Sequence, residues 1–377
     1  MKRPNTDDYR RLFLEDVPLM DVRAPVEFTR GAFPRSVNIP LLDDSQRADV
    51  GTRYKEQGQD AAIALGWQIA TPEIKAARQS AWLAHAQAHP SGFLYCFRGG
   101  LRSRLSQQLL KEAGLDYPLV VGGYKAMRRF LIDELETNTA VAPLVLISGR
   151  TGSGKTVLLS KLQRQIDLEA LANHRGSAFG RQVDDQPSQI DFENQVSIAL
   201  MKLLHWNPKQ AVFVEDEGKL IGRVSLPLNL KARMQQSPLA ILETPIETRI
   251  DIALVDYVTE AWPKYLAFFD QDASLAEQAF RAQVLDNLSR IRKRLGGDKF
   301  DLLFSQFSSA LEQFFRTGNT EGFRPGIETL LVDYYDPMYD YQKSLRQGRE
   351  IFRGPADECI EWANEFIKLE NHPLLNN

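Results

Sequence analysis

Residues Gly149 to Thr156 read Gly-Arg-Thr-Gly-Ser-Gly-Lys-Thr, directly after the apolar run Leu144-Val-Leu-Ile147 and at the start of a helix-like stretch, Lys155 to Gln165. Few octapeptides constrain a fold so tightly. Strand, glycine loop, helix is the order in which consecutive backbone amides can face a chain of phosphates. Gly149, Gly152, Ser153 and Gly154 form the cradle, Lys155 neutralises charge, and Thr156 is placed to hold Mg²⁺. This is a P-loop by pattern and by setting. The amides read phosphate oxygens, so the motif leaves open whether a nucleotide or another phosphorylated compound binds.

A second buried strand is expected at Ala211 to Val214, ending in Glu215-Asp216-Glu217. Glu215 or Asp216 is then the candidate Walker-B carboxylate. Asp167-Leu-Glu169 and Asn173-His174-Arg175-Gly176-Ser177 form a polar group after the P-loop helix. Asn173, His174 and Arg175 are candidates for touching phosphate. From about residue 260 the chain reads as helical, with amphipathic stretches at Ser274 to Leu295 and Phe300 to Arg316.

A loop of another kind lies upstream. Cys96-Phe-Arg-Gly-Gly-Leu-Arg-Ser103 follows the strand-like Gly92 to Cys96 and precedes a helical stretch, Arg102 to Ala113, stopped by Gly114. Backbone amides, a helix N-terminus and nearby arginines all make a thiol a better nucleophile. Arg98 and Arg102 can grip an oxyanion bidentately. A cysteine that merely fills the core needs no such company. Further strands are expected at Val17 to Val22 and Leu119 to Val121, and a helix at Ser80 to His89.

Strands alternating with helices predict an α/β fold with mainly parallel sheets. The 377 residues call for two or three domains. The polar segment Asp133 to Pro143 is the expected linker. Residues 1–135 then form the first domain and 136–260 a P-loop α/β domain. A mainly helical region at 261–377 follows, either separate or part of the P-loop domain.

Bulk numbers narrow the class. Hydrophobic content of 43% and charged content of 25% describe a globular chain. The apolar runs are strand-length, far short of a membrane span, and the first residues do not resemble a signal peptide. Cys96 and Cys359 are the only cysteines, which favours a reducing, cytoplasmic setting, with Cys359 a packing residue. The 5 histidines lack ligand spacing, so no metal beyond a Mg²⁺ is expected. Net charge is −3, yet Arg290, Arg292, Lys293 and Arg294 cluster on one stretch that could face a phosphate backbone.

The first domain resembles the rhodanese family. Asp21-Val22-Arg23, Glu27-Phe28, Gly31 and Asn38-Ile39-Pro40 precede Cys96 in that family's order, and the resemblance covers most of residues 10 to 130. It implies that Cys96 carries sulfur or selenium. One departure matters: five residues separate Cys96 from Arg102, one more than the common rhodanese loop and equal to the spacing of Cys-dependent phosphatases. A phosphatase or a sulfurtransferase fused to a nucleotide-binding domain is therefore the alternative.

The two loops together resemble the tRNA 2-selenouridine synthase family. Gly122-Gly-Tyr-Lys125, Leu171-Ala-Asn-His-Arg-Gly-Ser177, Gln186-Pro-Ser-Gln189, Glu215-Asp-Glu217 and Tyr334-Tyr-Asp-Pro-Met-Tyr339 extend the likeness over nearly the whole chain. The resemblance implies a transferase that replaces sulfur with selenium at C2 of the wobble 2-thiouridine in tRNAs for Lys, Glu and Gln. Selenophosphate, supplied by a selenophosphate synthetase, is the implied donor. An S-geranylated intermediate made from geranyl diphosphate is implied as well. Under that reading the P-loop holds geranyl diphosphate and Cys96, Arg98 and Arg102 serve the selenium step. The basic stretch becomes a tRNA contact, and Tyr334, Tyr335 and Tyr339 become candidates for stacking the base.

Overall fold

The computed structural model describes residues 3–368. The chain divides into two compact units, residues 1–137 with 188–202, and residues 138–187 with 203–377.

The first unit is built on three parallel strands, β1 (Leu19–Asp21), β2 (Ser36–Asn38) and β3 (Phe93–Tyr95), in the order β2-β1-β3. Single parallel bridges extend this array, Leu94 to Leu119 and Thr6 to Val120. β1 and β3 are buried throughout because both faces are covered, whereas the edge strand β2 is not. Leu19, Phe93 and Tyr95 join Phe13, Phe33 and Leu131 in one core. The alternate residues Met20, Leu94 and Cys96 join Trp82 and Leu110 in another. Met20, Val22 and Leu94 are fully buried, which stabilises the unit by roughly 2 kcal/mol for each side chain.

Local signals explain the helices. Asp43 and Gln46 form a capping box that starts Asp44–Ile69. Thr71 caps Pro72–Ala88, with proline in the first turn. Leu101–Glu112 ends before Gly114, whose φ is +88°. The expected linker is instead helical: Gly123–Val141 runs through Asp133 to Val141 without a break. Its polar residues include several poor helix formers, but Leu131, Leu135 and Thr139 recur every fourth position and are buried, and that packing carries the helix through. The division between the units falls inside this helix, after Thr137.

The second unit holds a five-stranded parallel sheet. Its strands are β4 (Leu144–Ser148), β5 (Gln165–Ile166), β6 (Val212–Glu215), β9 (Leu239–Leu242) and β10 (Glu350–Gly354), in the order β10-β9-β4-β6-β5. Strands β7 (Leu220–Ile221) and β8 (Val224–Ser225) form a separate hairpin. The P-loop helix is shorter than its pattern implies, Lys155–Ser160. Arg164 anchors the segment that follows. Its guanidinium donates to the carbonyls of Ala211, Leu203 and Asn207, which ties the segment to β5's edge position. Residues beyond 260 belong to this same unit. Ala273–Leu295 and Gly297–Thr317 pack around Phe280, Leu303, Phe307 and Phe323, while β10 returns to the sheet. Cys359 is fully buried against Val145, Ile147 and Phe213, and burial pushes its thiol up to about 11. No helix among the described residues is long and apolar enough to cross a membrane.

Candidate active sites

Cys96 follows β3 at its carboxyl end, where side chains converge in parallel sheets. It is held by backbone. The Cys96 carbonyl accepts from Tyr124 N at 2.9 Å, and Phe97 O accepts from Lys125 N at 2.9 Å. A Cβ on Gly123 would fall 2.2 Å from Cys96 O, and one on Gly99 2.7 Å from Gly122 N. Gly122-Gly-Tyr-Lys125 is thus a clasp on the cysteine loop, made of glycines because two backbones touch there. Asp21 and Arg23 form a buried ion pair (2.6 Å), and Asn38 donates to the carbonyls of both. Arg23 also lies 3.9 Å from the Tyr124 ring centre. These residues shape the site's floor.

The thiol borders a cavity of about 820 Å³ lined by Arg23, Arg30, Arg47, Arg98 and Arg102, with Glu27 as its carboxylate. Arg98 and Arg102, the expected anion ligands, both line this cavity, but Arg102 already has a carboxylate partner. Arg102 donates to both Glu27 oxygens, at 2.5 and 3.0 Å. Burial works against its charge, but the bonds from Glu27 outweigh it and leave its pKa raised. Arg47 also lies near Glu27, at 3.8 Å. Arg30 and Arg98 make no ion pair among the described residues and are the cations available to an anion. Sequence reasoning missed Arg30. It caps the C-terminus of the short helix Pro25–Thr29 that carries Glu27, a place no local motif marks.

In the second unit the P-loop follows β4 and opens Lys155–Ser160. Gly152 and Gly154 have φ of +78° and +85°, as a left-handed cradle requires. Lys155 Nζ donates across the loop to Gly149 O (2.9 Å), and Thr244 Oγ1 braces Ser153 O (2.9 Å). The two Walker-B candidates have different surroundings. Glu215 stands opposite Ile147 and accepts from Thr156 Oγ1 (3.4 Å). Asp216 turns away, taking a bond from Ser148 Oγ (2.8 Å) and pairing with Arg346.

Two more carboxylates join Glu215. Glu169 accepts from Thr156 Oγ1 (3.2 Å) and from Gly176 N (2.5 Å). Glu217 lines the cradle as well. A Cβ on Gly176 would lie within 2.7 Å of oxygens from both Glu169 and Glu217, so only glycine leaves room for the pair. Burial, reinforced by Glu169, Asp167 and Glu217, holds Glu215 well above the usual carboxylate range. Burial and Glu169 raise Glu217 to about 8. Among the described residues no three His, Cys, Asp or Glu side chains are arranged as a metal site. A P-loop cation does not need three, since phosphate oxygens and a threonine complete its shell. The hard oxygens of Thr156 and Glu215 are of the type Mg²⁺ takes.

Comparison with known proteins fits this arrangement. Residues 142–369 match the family described as "tRNA 2-selenouridine synthase AAA domain". The tRNA 2-selenouridine synthase of Marinobacter nauticus is 53% identical over 361 residues, covering 96% of this chain and 98% of that one. Those of Ectopseudomonas mendocina and Alcanivorax borkumensis are each 48% identical, covering 96% of this chain and 97% and 99% of theirs. The chain belongs to the tRNA 2-selenouridine synthase family.

For this member of the tRNA 2-selenouridine synthase family, the motif Tyr334-Tyr-Asp-Pro-Met-Tyr339 acts as a brace. Arg249, 4% exposed, bonds Asp336 at 2.6 and 3.0 Å and donates to Thr151 O of the P-loop at 3.0 Å. Arg150 reaches the same Asp336 at 2.9 Å. Tyr335 accepts from Ala178 N (3.1 Å), and both Tyr334 and Tyr335 are buried, so as placed neither can stack a base. Tyr339 meets Ser148 Oγ at 3.2 Å. Gln186 of Gln186-Pro-Ser-Gln189 bridges the carbonyls of Ala172 and Ile221.

Other candidates separate. Arg175 lines the P-loop cavity and pairs with Asp256 (2.5 Å) and Glu260 (3.5 Å). Asn173 is a turn residue with φ of +46°, donating to the carbonyls of Asp184 and Asp185. His174 lies outside the cavity lining, against Gly222. Burial lowers its pKa. Arg290, Arg292, Lys293 and Arg294 are exposed on Ala273–Leu295 and make no ion pair among the described residues.

Proposed function

We propose that this protein is a tRNA-modifying transferase. It replaces sulfur with selenium at C2 of the wobble 2-thiouridine in tRNAs for Lys, Glu and Gln, through an S-geranylated base. The first unit serves as a rhodanese-like domain for the selenium donor, selenophosphate. The second unit binds geranyl diphosphate on its P-loop and alkylates the base.

One observation carries the geranyl assignment. Thr151, Ser177 and Tyr257 line both the phosphate cradle and an adjoining apolar cavity floored by Phe179, Val258, Phe307 and Leu331. A diphosphate with a hydrocarbon tail suits that pairing. The cavity is small, about 50 Å³, so a ten-carbon chain enters by pushing its lining side chains apart.

Alkylation is chemically useful because sulfur on C2 leaves poorly until it carries an alkyl group. The base's sulfur forms its bond to the geranyl C1 as the C1–O bond breaks and diphosphate departs. The amides of Gly152 to Thr156 and the Lys155 ammonium stabilise the charge that develops on it. Mg²⁺ bound by Thr156 and Glu215 would supply further charge neutralisation. In the first unit, Arg30 and Arg98 hold the selenophosphate anion beside Cys96. A phosphatase would need Arg102 for its phosphate, and Arg102 is held by Glu27.

The test is nucleoside mass spectrometry of 2-thiouridine tRNA incubated with the protein, geranyl diphosphate, selenophosphate and Mg²⁺. A geranylated nucleoside followed by 2-selenouridine is expected. Unchanged 2-thiouridine with folded protein overturns the proposal.

A further inference from the structure

The first unit contains an apolar cavity of about 400 Å³ that the proposed chemistry has not yet used. It has a simple origin in sequence. Gly58, at φ +83°, breaks Asp44–Ile69 into two helical pieces. In the second piece Ala62, Ile63, Gly66, Trp67 and Ala70 recur on one face and line the cavity. Three of these five are small, which is why space remains. The opposite wall comes from Leu101, Leu105 and Leu109 of Leu101–Glu112.

Two facts point to a ligand. Large apolar side chains stay wet at this cavity, with Tyr54 56%, Trp67 48% and Leu101 43% exposed, a grouping that marks a binding surface more often than scattered apolar residues do. The cavity also adjoins the cysteine site directly, since Tyr54, Leu101 and Arg102 line both.

We infer that this cavity receives the prenyl tail of the S-alkylated base while selenium is installed beside Cys96. The inference rests on the two-step reading above. A base presented to Cys96 with C2 in reach carries its ten-carbon tail on the sulfur bonded to C2, so the tail must lodge next to the cysteine site. Size agrees. A cavity of about 150 Å³ holds a six-carbon ring, so roughly 250 Å³ suits ten carbons. In the step itself, selenium of selenophosphate bonds to C2 as the C2–S bond breaks. The sulfur leaves with the bonding pair as prenyl thiolate and takes up a proton. Water then cleaves the Se–P bond to release phosphate, and no oxidant or reductant is consumed. Binding the tail orients the leaving group and lets the enzyme distinguish an alkylated base from its 2-thiouridine precursor.

The experiment supplies tRNA bearing S-geranyl- or S-methyl-2-thiouridine, with selenophosphate, and compares kcat/KM for 2-selenouridine formation. Wild type is expected to prefer the geranyl substrate, and Ala62→Phe or Ile63→Trp, which fill the cavity, to reduce that preference at least tenfold. A preference unchanged by filling overturns the inference while leaving the two-step reading intact. Failure of wild type to convert either tRNA removes the reading and the inference together. Should the filled variants not fold, geranyl thiol titrated into wild type decides: a saturable change in Trp67 fluorescence, isolated by difference against Trp67→Phe, is expected. No change at saturating thiol overturns the inference.

Discussion

Arg249 and Asp336 form a buried bidentate pair between positions 87 residues apart, and the same guanidinium grips Thr151 O in the P-loop. The helical region thereby sets the shape of the phosphate cradle. Asp336→Asn leaves Arg249 buried without its counter-charge, a change that typically costs about 3 kcal/mol. Thermal denaturation should show a Tm lower by several degrees. Geranyl diphosphate, measured by calorimetry, should bind at least tenfold more weakly. Unaltered affinity in a destabilised variant would confine the pair to a structural role.

Replacing one key group in each site should separate the two proposed half-reactions. Lys155→Ala should abolish geranyl transfer, yet still convert tRNA that is already S-geranylated. Cys96→Ser should do the reverse, accumulating the geranylated nucleoside without 2-selenouridine. Loss of geranylation with retained selenation in Cys96→Ser would falsify the assignment of the thiol.

Glu217 gives the second unit a pH signature. Its pKa is raised from 4.5 to about 8 by burial and Glu169. The unfolded chain releases this proton near 4.5, whereas the folded chain keeps it to about 8. The folded state therefore binds more protons in between, and stability declines as pH rises through that window. Glu217→Gln should reduce the fall in Tm between pH 6 and pH 8.5, without erasing it, because Glu215 is shifted the same way. A variant with the wild-type slope would show that the proton sits elsewhere.

The unpaired cations of Ala273–Leu295 predict a salt effect. Replacing Arg290, Arg292, Lys293 and Arg294 by alanine should weaken tRNA binding. It should also flatten the plot of log affinity against log salt by about 1 for each phosphate no longer neutralised. Neutral effects on both would return this helix face to ordinary solvation.

The sequence announced both loops because their chemistry demands unusual residues in fixed order, and glycines at 99, 152 and 154 cannot be disguised. The central strands β1, β3, β4 and β6 were visible too, as apolar runs, whereas the short or partly exposed β2, β5 and β10, and β9 as well, were not singled out. Other features depend on partners distant in sequence. Asp133 to Val141 looked like a linker because only its buried stripe, Leu135 and Thr139, reveals packing. Tyr334 and Tyr335 looked available to a base until the fold enclosed them. Arg102 looked like an anion ligand because nothing near it in sequence shows that Glu27, 75 residues earlier, claims it. Glu169 and Glu217 meet at the P-loop because Gly176, which belongs to neither loop's motif, has no side chain to keep them apart.

The helix Gln189–Trp206 has a practical consequence for anyone dissecting this enzyme. Residues 188–202 belong to the unit that carries Cys96, although they are encoded after the P-loop. Asp191 and Asn194 hold the backbone of Ala32, and Ile190 forms part of the cysteine site's wall. A gene cut after codon 137 therefore yields an amino-terminal fragment with an unsealed core, and its inactivity would say nothing about whether the thiol can work alone. The two proposed activities are to be separated by point substitution, not by scissors.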